Sequence, residues 1–137
     1  MNTDECKLQY ILNKLDDTDY SMAKLIHYLY SDIYCRTNDG NREKWFKWNG
    51  VHWHTSEMIK HELKIKLSEE VANLVKNART KIRNNLVNLH DYDQRSFDET
   101  RLKSLVKIEG QLYNTSSKDK IIKECESLFF VNDFPKK

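Results

Sequence analysis

The sequence predicts an α+β domain, mostly helical. It would hold about four to five helices, with a small antiparallel β-hairpin or three-stranded sheet packed on a long helix. Three observations carry that reading. Apolar residues recur at spacings of three and four over most of the chain. One stretch, residues 42–53 (REKWFKWNGVHW), shifts to period two around an Asn-Gly pair and holds all three tryptophans. Gly (3) and Pro (1) are too scarce for a Gly-rich nucleotide loop or a flexible linker.

Taken in order, Leu8, Ile11, Leu12 and Leu15 make residues 1–17 either an N-terminal extension or a short helix. DDTDYS then supplies N-cap chemistry. Met22, Leu25, Ile26, Leu29 and Ile33 line one face of the next helix. IYCRT suits a short strand, and NDGNRE breaks the chain. A type I′ turn at Asn49-Gly50 would place Trp48 opposite Val51 and Phe46 opposite Trp53. Phe46, Trp48, Val51 and Trp53 would then form the apolar, structural face that docks on helices, because an isolated hairpin is marginal. Trp45, Lys47, His52 and His54 would take the other face.

Thr55 or Ser56 can cap the next helix. Ile59, Leu63, Leu67, Val71, Leu74, Ala78, Ile82 and Leu86 mark one long helix, or two joined near KNART. HDYDQRSFDE reads as a polar loop. Leu102, Leu105, Val106, Glu109 and Leu112 mark another helix, NTSSKD a cap, and Ile121, Ile122, Cys125, Leu128 and Phe129 the last helix. Pro135 would stop further helix. The 137 residues fit a single domain, 1–137, with its main body at 18–137.

Composition narrows the function. With 32% charged and 11% aromatic residues the chain is neither disordered nor apolar. A net charge of +2 is too small to imply a polyanion partner by itself, so that argument must come from local clustering. No apolar run approaches the roughly 18 residues of a membrane span, and no signal peptide opens the chain, so a soluble intracellular protein without membrane contact is expected. Cys6, Cys35 and Cys125 are odd in number and form no Cys-x-x-Cys pair, which fits buried reduced thiols.

No G-x-x-x-x-G-K-[ST], Rossmann fingerprint or G-x-S-x-G elbow occurs. No catalytic residue is assigned. His52-x-His54 could supply two metal ligands from one strand face, with Cys35 or His61 nearby, but zinc motifs usually show paired Cys or a His-x-x-x-His helix, so no metal ligand is assigned either. The informative cluster is VKNARTKIRNNLVNL. It lacks Asp and Glu, and Lys76, Arg79 and Arg83 share a helix face. Such a stripe attracts phosphates or an acidic protein patch. A second cluster sets Trp45 among Lys44 and Lys47, where an indole could stack a base. Lys76, Arg79, Arg83, Lys44, Lys47 and Trp45 are therefore the candidate DNA-binding residues.

The order AKLIHYLYSDIYC, then KWFKWNGVHW, then LKIKLSEEVANLV, then KIIKECESLFFVNDF spans residues 23–134. It resembles the domain that precedes the superfamily 3 helicase module in primase-helicases of poxvirus- and asfarvirus-type nucleocytoplasmic large DNA viruses. The W-x-x-W-N-G-x-x-W hairpin and KECESLFF are its specific parts. The resemblance implies a piece of a larger replication protein: a non-catalytic linker or collar supporting hexamer assembly and contact with single-stranded or forked DNA. It implies as partners the other hexamer subunits and the adjacent primase and helicase domains. ATP and Mg would serve the helicase module and not this chain, and the host cytoplasm would be the place of action. The alternative is a protein-interaction module without DNA affinity. An independent enzyme is a third reading, against which a blank nucleotide-hydrolysis assay would count.

Overall fold

A computed structural model of the protein describes residues 3–132. The helix stop expected at Pro135 lies outside them. The fold is α+β and mostly helical, with one three-stranded antiparallel sheet. Helices α1 (Asp4–Lys14) and α2 (Asp19–Tyr30) come first. Strands β1 (Tyr34–Asp39), β2 (Arg42–Trp48) and β3 (Trp53–Thr55) pair in that order. A continuous rod comes after them: α3 (Ile59–Lys66), a π turn (Leu67–Val71) and α4 (Ala72–Val87). Helices α5 (Tyr92–Tyr113) and α6 (Thr115–Leu128) complete the order.

Local chemistry sets the boundaries. The Thr3, Thr18, Asp91 and Asn114 side chains each accept a backbone N–H three residues on, starting α1, α2, α5 and α6. Before α2 the Ser21 hydroxyl also accepts the Asp16 N–H, and the Thr18 N–H donates to Asp16 Oδ1, both at 2.9 Å. Of the two cap candidates before the rod, Ser56 accepts from the Met58 N–H. Thr55 instead lies in β3 and donates to the Trp45 carbonyl, and no side chain caps the first turn of α3.

The rod is the centre of the core. Ile59, Leu63, Leu67, Val71, Ala72, Val75 and Ala78 are all at most 1% exposed. Each large one contributes about 1.5–3 kcal/mol of burial. Leu105, Ile108 and Leu112 of α5, Ile121, Ile122 and Cys125 of α6, and Ile11 of α1 join the same cluster. The rod does not break near KNART. Its irregularity lies earlier, at the π turn, where the Ala72 N–H reaches back to the Leu67 carbonyl. The Ser68 hydroxyl donates to the Leu112 carbonyl and accepts from Lys118 at 2.7 Å, tying the turn to α5 and α6.

Four expectations are corrected. HDYDQRSFDE is not a loop, because α5 begins at Tyr92, and its first half is helical while burying almost nothing. Cys6 is exposed, and only Cys35 and Cys125 are buried. The hairpin is also registered differently. Trp48 pairs with Trp53, Lys47 with His54 and Phe46 with Thr55. The Asn49 side chain accepts the N–H groups of Val51 and His52, both at 2.9 Å. These bonds hold residues 49–52 in a four-residue loop with Gly50 at φ +97°. Val51 therefore leaves the sheet and is 74% exposed.

The face that docks is also the opposite one. Trp45, 5% exposed, enters the core and lies 5.7 Å from the Phe129 ring. Tyr34 shares this face, as does Lys47, which Glu62 of α3 neutralises. Phe46 is buried on the reverse face, where Trp48 and Trp53 form a half-buried edge-to-face pair at 5.6 Å. Counting apolar residues misassigned the faces, because the inward cation is satisfied by a carboxylate from another element. The β1 edge is closed by the chain after α6. Arg36 N–H donates to the Phe129 carbonyl, and Val131 N–H donates to the Arg36 carbonyl, both at 2.9 Å.

Replacing Trp45 with Ala is expected to cost about 3–5 kcal/mol in urea unfolding. Trp45→Phe should cost far less, because the buried indole N–H has no hydrogen-bond partner among the described residues and its removal relieves a penalty.

Candidate nucleic-acid interface

Helix α4 turns Ala72, Val75, Ala78, Ile82 and Leu86 inward. At about 100° per residue, Lys76, Thr80, Arg83 and Val87 then fall within a strip about 60° wide on the outer side. Lys76 and Arg83 are exposed, and neither has an ion pair among the described residues. Val87 is 75% exposed. The ammonium and the guanidinium are thus free to meet an anion.

Arg79, the third cation of the predicted stripe, has a different role. It sits at the edge of the strip facing α5, where its Nη2 lies 2.7 Å from Glu109 Oε1. Glu109 is only 9% exposed, and its other oxygen accepts the Tyr113 hydroxyl at 3.1 Å. Arg79 therefore joins α4 to α5 and is unavailable to DNA. The absence of acids within its own helix was a true reading of sequence and a false guide to space, because the partner is remote in the chain.

The hairpin candidates divide in the same way. Lys47 donates to Glu62 Oε1 at 2.7 Å, and the Tyr34 hydroxyl donates to the same oxygen at 2.7 Å. Trp45 is buried, so no face of its indole is open to a base. Lys44 is half-exposed, its ammonium 5.9 Å from the Phe46 ring centre. On the other face of β2, Lys60 is held between Glu43 and Glu126. Lys76 lies sixteen residues beyond Lys60 along the rod, about 24 Å at helical rise. The two predicted clusters therefore occupy separate regions of one subunit. His52 and His54 are both exposed, and no group of three His, Cys, Asp or Glu among the described residues could hold a metal.

Sequence reading passed over the facing wall. On α5, Tyr92, Glu99, Val106 and Tyr113 recur every seven residues, so the strip drifts only about 20° per step. Tyr92, Val106 and Tyr113 are 81%, 49% and 52% exposed. Arg95 donates to the Leu86 and Leu89 carbonyls, and Glu109 meets Arg79, so α5 lies antiparallel to α4. On each helix the contact line falls between the buried face and the exposed strip. Both strips consequently border one solvent-facing seam. The seven-residue recurrence is the available signal, hidden by the reading of residues 90–99 as a loop.

Two carboxylates near the sheet end of the rod are tuned. Burial alone would raise Glu62, but hydrogen bonds from Lys47 and Tyr34 outweigh it and hold the carboxyl below its ordinary 4.5. Glu70 is likewise held low against burial, by Tyr30 and Lys66. A carboxyl with a depressed folded value stabilises fully above its unfolded value and loses that contribution as pH falls through the folded one. Stability should therefore decline below about pH 4.5, and Glu62→Gln should flatten that decline in acid titrations monitored by circular dichroism. Separately, Glu109→Ala strands the Arg79 guanidinium and should cost about 2–4 kcal/mol in urea unfolding, with Arg79→Met less harmful than Arg79→Glu.

Among the described residues no helix is long and apolar enough to cross a membrane. A protein-family model described as "D5 N terminal like" matches residues 23–136. No curated protein matches the chain.

Proposed function

Because the chain belongs to the D5 N terminal like family, the N-terminal region of D5-type primase-helicases, we propose that it is a non-catalytic linker or collar of a viral replication helicase. It supports hexamer assembly and contacts single-stranded or forked DNA. The observation that carries the DNA contact is the pair of unpaired cations, Lys76 and Arg83, on one outward strip of α4. Two cations bind one strand weakly. Repeated around a ring of subunits, they become a cationic collar whose effects multiply through effective concentration. The small net charge of +2 is compatible with that, because the contact is local and repeated.

ATP and Mg chemistry does not fit the residues here. The sequence has no phosphate-binding loop with its Lys and Ser/Thr. That chemistry belongs to a superfamily 3 helicase module, which with the primase domain and neighbouring subunits makes up the proposed partners, acting in the host cytoplasm.

A second reading, a protein-interaction module without DNA affinity, is favoured by the first half of α5. Tyr92 and Phe97 are 81% and 65% exposed there, among Asp91, Asp93 and Glu99. Fluorescence anisotropy with labelled single-stranded DNA separates the two. Lys76→Glu with Arg83→Glu should weaken binding and reduce the slope of log K against log salt by about 1.4, at about 0.7 per phosphate contact. Binding unchanged by the double reversal would remove these residues from DNA contact, and an altered oligomeric state alone would favour the second reading.

A further inference from the structure

We propose that the outer seam between α4 and α5 is a single-strand-selective site, with phosphates held on the α4 wall by Lys76 and Arg83 and a base stacked on Tyr113 of the α5 wall. The proposal rests on the DNA-contact reading above and adds to it the residue that distinguishes single strands from duplex.

Cations alone do not make that distinction, since both forms of DNA carry phosphates. An exposed ring beside them does, because only an unpaired base can leave its neighbours and lie flat on it. Arg79 and Glu109 face each other across the seam. One turn toward the start of α4 lies Lys76, and one turn toward the end of α5 lies Tyr113. The helices run antiparallel, so these two residues share a level. Arg83 lies one turn the other way, near the level of Val106 on the facing wall. The acidic Asp91, Asp93 and Glu99 crowd the Tyr92 end of α5, so the site is assigned to the Tyr113 end.

The Tyr113 ring is not loose. Its hydroxyl donates to Glu109 Oε2, and Glu109 is in turn fixed by Arg79. The buried pair, though closed to DNA itself, thereby becomes a positioning device. It tethers the phenol at its tip and leaves the residue 52% exposed. Fixing an aromatic platform before binding lowers the ordering cost on association.

The test compares the 137-residue chain with Tyr113→Ala, Tyr113→Leu and Tyr113→Phe, using labelled oligothymidylate and a duplex of equal length. Stacking on one ring predicts about a tenfold loss of single-strand affinity for the Ala and Leu variants, with the salt slope and duplex affinity unchanged. Phe, which keeps the ring, should retain most of the binding. Tyr113→Leu keeps bulk on the exposed wall and serves as the readout if Tyr113→Ala unfolds. If Tyr113→Leu binds single strands as the parent does while the Lys76/Arg83 reversal weakens them, the stacking wall is wrong and the DNA-contact reading survives. If neither change alters binding, both fall. An equal loss on duplex and single strand would also overturn the proposal, because it would point to distortion of the cationic wall.

Discussion

Everything in this molecule is arranged around the burial of one rod, residues 59–87. Its inward positions are almost fully withdrawn from water from Ile59 to Ala78. A rod of that length, about 43 Å at helical rise, cannot bury its stripe against one neighbour. The sheet and α6 cover the beginning, while α1 and α5 cover the rest. This sharing explains why a chain with 32% charged residues still closes a single connected core. It also fixes what remains outside, because the outward strip of α4 is what no neighbour covers.

Charge is distributed unevenly along that rod. At the sheet end, Lys47, Lys60 and Lys66 each meet a carboxylate, and two tyrosine hydroxyls reinforce the acids. Exposed pairs of this kind add little stability individually. Their larger effect is to remove cations from the pool available to a polyanion. At the other end, among the described residues, Arg79 is the one α4 cation held in an ion pair, and Lys76, Lys81 and Arg83 remain. The count of basic residues therefore overstates the attractive surface, and its location depends on which carboxylates the fold brings near.

Legibility in the sequence obeys the same physics. Helix α2, the rod and α6 were legible because their buried stripes repeat every three or four residues, and Thr18 and Asn114 announce two of the starts. The first half of α5 was not, because it buries almost nothing and has no stripe to show. Its local signals were the Asp91 cap and the seven-residue recurrence that begins at Tyr92. The sheet was found, but its orientation was not, since Lys47 on the inward face counted against burial until Glu62 was placed beside it. Of the candidate DNA-binding cations, Lys76 and Arg83 are exposed and Lys44 is half-exposed. Arg79 and Lys47 were misread because their partners are remote in sequence, and Trp45 because both faces of β2 carry indoles.

The π turn at Leu67–Val71 has a consequence for how the two ends of the rod relate. It holds one more residue than an ordinary turn, and each residue of a helix contributes about 100° of rotation. The angular phase between the tryptophan ribbon and the cationic tip is thus encoded by a single surplus amino acid. A rod that lost it would still be a straight helix, yet its basic side chains would point a quarter-turn or more away from their present direction.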